Sequence, residues 1–161
     1  TNTLSTTREN SAQPDAWLIM EVATFGNLSK MYKNLKHQLP QKSAIANEFG
    51  LNFHNELSSW LESVSYLRNI VAHHSRVWSR TMVKTPMKVA NPNYPWLQIP
   101  LSTFQVKRPF YVISAMLYLC NAVQGDNLFK SKILDLFAKY PNIPLYKLGF
   151  NNQWRQEDIW I

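Results

Sequence analysis

Between Lys107 and Gln124 the chain is apolar on every side of a helix, and this is the feature that most limits how it can fold. A helix with one apolar stripe can lie on a surface. One that is apolar all round has to be enclosed, by other elements or by lipid. Its longest apolar stretch, Phe110 to Val123, is 14 residues and includes Ser114 and Asn121, too short for a comfortable bilayer crossing. Enclosure by protein is therefore expected, and no membrane association. Pro109 suits the first turn of this helix and Gly125 its stop.

The rest of the chain has to supply the walls. Leu57, Trp60, Leu61, Val64, Leu67, Val71, His74 and Trp78 fall on one helical stripe, predicting a helix from Asn52 or Asn55 to about Arg80. A second stripe, from Trp17 through Phe25, Leu28, Met31, Tyr32 and Leu35, predicts a helix that opens at Pro14-Asp15 and runs to about His37. Gly26-Asn27 loosens it, and Ser29 is placed to cap its second half. Pro40 interrupts. A short helix from Lys42 to Phe49 then ends at Gly50. Asp126 can cap a last helix over Asn127 to Tyr140, closed by Pro141 and Pro144. Pro86, Pro92, Pro95 and Pro100 make residues 81–104 an irregular excursion, with room for a short hairpin within 82–99. The tail from Leu145 to Ile161 reads as an aromatic strap packed back on the helices, and residues 1–13 as a polar, flexible leader. The expected fold is all-α: an up-and-down bundle of about four or five helices in one domain, 14–161, with a Pro-rich insertion.

Composition narrows the function classes. A chain of 161 residues with 45% hydrophobic residues is globular. A net charge of +7 favours polyanionic partners, nucleic acid or an anionic surface. The one cysteine, Cys120, excludes a disulfide within the chain, fits a reducing cytosol and reads as a small core residue. Only four glycines are present, with no phosphate-cradling loop, no G-x-S-x-G and no H-E-x-x-H. His73 and His74 are adjacent, so they point about 100° apart on a helix. Neither Cys nor carboxylate stands at metal-ligand spacing from them, so no metal and no cofactor is expected.

The chemically informative segment is Tyr66-Leu67-Arg68-Asn69-Ile70-Val71-Ala72-His73-His74-Ser75-Arg76-Val77-Trp78-Ser79-Arg80. On one straight helix Asn69, His73, Arg76 and Arg80 form a polar stripe, and His74 lies on the apolar side. Guanidinium groups fork onto phosphate oxygens, and imidazole exchanges a proton near neutral pH. Arg68 lies about 140° around from His73. Either the helix bends, or a second copy completes the site across a two-fold axis, with two histidines and two arginines on one phosphodiester.

Arg68-Asn69-Ile70-Val71-Ala72-His73 resembles the R-polar-x3-H signature of HEPN ribonucleases. Thr24 to Leu35 (TFGNLSKMYKNL), Trp60 to Arg80 (WLESVSYLRNIVAHHSRVWSR) and Leu148 to Trp154 (LGFNNQW) resemble, in order and spacing, the successive blocks of the Abi-like family of the AbiD/AbiF type. The resemblance implies a bacterial, cytoplasmic HEPN bundle acting in abortive infection or as a toxin. It also implies metal-independent RNA cleavage, with the motifs facing each other in a homodimer. Arg68 and His73 would be the catalytic pair and Asn69 an orienting group. His74, Arg76 and Arg80 would contact RNA or brace the motif. Family members usually carry a further N-terminal helical region. This chain begins at Thr1, and that region is expected to be missing.

Other readings stand beside these. Arg68 can pair with Glu62 or Glu48, and His74 can be a hydrogen-bonded core residue. Lys30, Lys33 and Lys36 can be a solvated edge or a phosphate track, and Trp154 and Trp160 packing anchors or base stackers. The whole can be a catalytically inactive RNA-binding or protein-interaction module. An antitoxin-like or regulatory partner would require an exposed apolar groove.

Overall fold

The computed structural model describes residues 16–125 and 128–161. The expected leader, the Pro14-Asp15 opening and the Asp126 cap lie outside these residues. The described residues form seven α-helices: α1 (Ala16–Val22), α2 (Phe25–Asn34), α3 (Pro40–Glu48), α4 (His54–Ala72), α5 (Thr103–Val106), α6 (Pro109–Val123) and α7 (Phe129–Lys139). Two 3-10 turns follow, Leu145–Leu148 and Trp154–Gln156. The fold is all-α. The helix count exceeds four or five because the first expected helix divides and α5 is a single turn. No strand forms among the described residues, and the short hairpin for which 82–99 had room is absent.

The all-apolar segment is the central helix. Phe110, Val112, Ala115, Leu117 and Tyr118 of α6 are buried, and Pro109 begins the helix. α4 packs along α6 and also carries α2 and α3, which makes it the shared wall of the bundle. Trp60 of α4 meets Tyr118 of α6 edge-on, with ring centroids 5.1 Å apart. A buried aromatic ring contributes about 1.5–3 kcal/mol by area alone, so this seam dominates the core.

The Pro-rich excursion is tied to that seam. Trp96 lies 4.6 Å from Trp60, centroid to centroid, and is itself buried. Trp60 Nε1 donates to the Met87 carbonyl at 2.8 Å, and the Met87 N–H donates to Ser59 Oγ at 2.9 Å. Gly50, at φ 68°, lets the chain pass under two tyrosines: a Cβ there would lie 2.6 Å from the Tyr94 ring and 2.7 Å from Tyr118 Oη. Tyr118 Oη donates to the Gly50 carbonyl at 3.0 Å, and burial pushes its pKa up to about 12.

The first expected helix breaks at Ala23-Thr24, ahead of Gly26-Asn27. Thr24 caps α2, its Oγ1 accepting from Asn27 N–H at 3.2 Å. Ser29 is buried within α2 and caps nothing there. Gly26 serves close packing: a Cβ would stand 3.3 Å from Ser65 Oγ of α4. α1 leaves Leu18, Ile19, Met20 and Val22 exposed. Lys42 was not singled out from the sequence, yet it is only 4% exposed. Its Nζ donates to the Lys33 and Leu35 carbonyls at 2.9 and 2.7 Å, closing the C-terminal end of α2.

The tail is an aromatic strap, as expected. Phe150, Trp154 and Trp160 pack against one another and against Phe110 or Phe137, and Trp160 Nε1 donates to Ser114 Oγ at 3.2 Å. Trp154 and Trp160 are buried packing anchors, and neither is offered to a base. Glu157 joins the strap to the excursion: its carboxylate is 1% exposed and accepts from the Gln98 and Ile99 N–H groups at 2.5 and 3.2 Å. Removing a buried carboxylate strands both donors. Glu157→Ala should therefore lower stability by about 2–4 kcal/mol. Exposed Asp158→Ala should stay within about 0.5 kcal/mol. Urea denaturation of the two variants checks both values.

Candidate functional site

Three buried aliphatic side chains, Val64, Leu67 and Ile70, hold the last turns of α4 against the core. The helix must then present the intervening residues outward, and Arg68 and Asn69 are exposed. Arg68 Nη1 donates to Asn69 Oδ1 at 3.3 Å. No carboxylate pairs with Arg68 among the described residues. Glu62 is instead bridged by Lys84 at 2.8 Å and Lys33 at 3.0 Å, which together hold its carboxyl below the usual range. The Arg68–Glu62 and Arg68–Glu48 pairings are therefore not formed. Lys33 is a bridging residue and not merely part of a solvated edge.

The helix does not reach Arg80. It ends at Ala72, with His73 as the C-cap and His74 at φ 51°. The Ser75 N–H donates to the Ile70 carbonyl and the His74 N–H to the Val71 carbonyl, both at 2.9 Å. This pair of bonds is a Schellman closure, with His74 in the left-handed position that glycine usually takes. The continuous stripe of Asn69, His73, Arg76 and Arg80 is thus broken after His73. His74 is exposed, not a core histidine on the apolar side.

Tertiary contacts explain the stop. Arg108 Nη1 donates to the Ser79 carbonyl at 2.6 Å, and the Met82 N–H to the Lys107 carbonyl at 2.8 Å. These bonds draw the segment after His74 toward the start of α6. Ser79 itself takes φ 54°. Arg80 Nη1 reaches back to the Arg76 carbonyl at 3.4 Å, which keeps those two basic residues together. Arg108 is the residue that sequence reasoning missed. It precedes Pro109 and is held extended at φ −115°, which aims its side chain off the helix start. That local signal places Arg108, but it does not reveal Ser79 as its partner.

The structure therefore joins Arg68 to Asn69 and Arg76 to Arg80, with His73 and His74 exposed between them. No side-chain hydrogen bond links His73 to Arg68 among the described residues. Arg68 also borders two apolar grooves. One, about 430 Å³, is walled by Phe25, Leu61, Met116, Leu119 and Cys120. The other, about 490 Å³, is walled by Val71, Val77, Met116, Phe129 and Ile133. Cys120 is half-buried on the first wall and not a full core residue, and burial pushes its thiol pKa up. Among the described residues no three His, Cys, Asp or Glu side chains converge as metal ligands, and no helix is long and apolar enough to cross a membrane.

The family model described as Abi-like protein matches residues 2–79, a span that ends at the Ser79 carbonyl held by Arg108. No curated protein and no solved structure matches the chain. The left-handed His74 gives a direct check on the helix stop. Glycine pays no Cβ penalty at that φ, so His74→Gly should raise stability by about 0.5–1 kcal/mol, and His74→Val should lower it. The urea midpoints of the two variants read the sign.

Proposed function

We propose that this chain, whose residues 2–79 match the model of the Abi-like family, acts in abortive infection and phage defence as a metal-independent RNA endonuclease of the HEPN type. The observation that carries the reading is the end of α4: Arg68 exposed, without a carboxylate partner among the described residues and hydrogen-bonded to Asn69, and His73 exposed where the helix closes. A guanidinium without a carboxylate partner among the described residues and a solvent-accessible imidazole at the same helix end suit a phosphodiester.

The proposed step is internal transfer. One His73 removes the proton of the ribose 2′-OH as the 2′-oxygen attacks phosphorus. The bond to the 5′-oxygen breaks, and a second His73 protonates that leaving oxygen. The products are a 2′,3′-cyclic phosphate and a 5′-hydroxyl. Arg68 stabilises the charge gathering on the phosphoryl oxygens, and Asn69 holds Arg68. His74, Arg76 and Arg80 follow in the same segment as supporting RNA contacts.

The second histidine comes from a second copy in a homodimer with the motifs facing. The apolar grooves on either side of Arg68 support a self-complementary contact there, since a two-fold interface buries the same patch twice. The same grooves favour the alternative, an inactive module whose task is to hold RNA or a regulatory, antitoxin-like protein. The nuclease reading places the protein in the bacterial cytoplasm, where RNA substrates are and a single free thiol is stable.

The test is cleavage of a single-stranded RNA pool in EDTA by wild type, His73→Ala and Arg68→Ala. Both side chains are exposed, so the fold should persist. Cyclic phosphate ends from wild type, with rates lower by about 10²–10⁴ in each variant, are expected. Wild type that binds RNA without cutting it would instead establish the binding module.

A further inference from the structure

The excess charge of the chain has one source. Residues 63–125 contain seven Lys or Arg and no Asp or Glu, so they carry the whole net charge of +7, and the remainder is neutral. Four of those cations, Arg76, Arg80, Lys107 and Arg108, are brought together by the bonds that tie the segment after His73 to the start of α6.

Against one of them, Arg108, stands an aromatic ring that the core does not use. Phe104 is 48% exposed and takes no place in the hydrophobic cluster. It is nevertheless held firmly. α5, which carries it, is closed by a reciprocal cap: Gln105 N–H donates to Ser102 Oγ at 3.3 Å, and Ser102 N–H to Gln105 Oε1 at 2.9 Å. The Arg108 guanidinium lies over the Phe104 ring, 4.2 Å from its centroid. Arg108 is fixed in turn by the Ser79 carbonyl and by Gly149, where a Cβ would fall 2.6 Å from Arg108 Cβ. Lys107, three residues on from Phe104 in the chain, is exposed.

A half-exposed aromatic ring on a capped turn, stacked by an arginine whose bonds tie it to a segment rich in cations and without an acid in sequence, has the chemistry of a platform for an unpaired base and its phosphates. We propose that Phe104, with Arg108, Lys107 and Arg80, is a base-stacking subsite for single-stranded RNA. It takes RNA as the ligand from the nuclease reading and adds where a neighbouring nucleotide rests. His73 and Ser79 are six residues apart, so their Cα atoms are at most about 22 Å apart. One strand can therefore span the subsite and the motif. A duplex cannot use it, because its bases are already stacked.

The experiment measures anisotropy of a fluorescein-labelled single-stranded RNA oligonucleotide with the full chain carrying His73→Ala, so that the RNA stays intact. Phe104→Ala, Phe104→Leu and Phe104→Trp are added in that background, with urea midpoints recorded for each. Both Phe104→Ala and Phe104→Leu should weaken binding about tenfold, and Phe104→Trp should retain it. Leucine preserves apolar volume without a stacking face, so a merely structural role would leave Phe104→Leu unaffected. Undiminished binding by Phe104→Ala or Phe104→Leu, equal binding of double-stranded RNA, or no RNA binding by the parent overturns the subsite. Cleavage by wild type is scored separately, so the nuclease reading and the subsite can fail independently.

Discussion

Trp60 is the side chain on which the rest of the structure depends. It sits on α4 at the contact with α6, edge-on to Tyr118, and against Trp96 from the Pro-rich excursion. Its indole N–H donates to the Met87 carbonyl, so the same residue fills the core and orders the first half of that excursion. A long segment with four prolines cannot build its own ladder of backbone bonds. It is held by lending Trp96 to the core and by bonding to Ser59 and Trp60. Tyr118 continues the chain of constraint to Gly50, whose carbonyl it binds.

The three sequence blocks become one object around α4. Gly26 lets α2 approach Ser65, and Lys33 meets Glu62 together with Lys84. At the far end, Gly149 leaves room for Arg108, and Arg108 takes the Ser79 carbonyl. The first block thus packs on α4 itself, and the last acts through Arg108 on the segment that follows it. The Arg68-to-His73 turn, with the segment behind it, is positioned by both.

The surface divides into two chemistries at the end of α4. Beside Arg68 are apolar grooves, suited to another protein surface. Beyond His73 are Arg76, Arg80, Lys107 and Arg108, in a stretch without a carboxylate. Under the proposed function the first face pairs protomers and the second receives the strand.

Much of this was legible in the chain. A segment apolar on all sides had to become the central helix, and α6 is that helix, begun by Pro109 as its fixed φ favours. The aromatic tail had to pack inward, because exposing several large rings is costly, and Trp154 and Trp160 are buried. Asn69 could be placed outward from the polar stripe alone, but the apolar stripe named Val71, which is exposed, where the structure buries Ile70. Only the tertiary structure decided where α4 stops. No Gly or Pro lies between Ala72 and Arg80, so local propensity gives no signal there. The signal is a guanidinium on residue 108 holding a carbonyl on residue 79. The burial of Lys42 and the lodging of Trp96 beside Trp60 are of the same kind. A periodic pattern records what one element shows to solvent, whereas a bond between distant residues leaves no periodic trace in either.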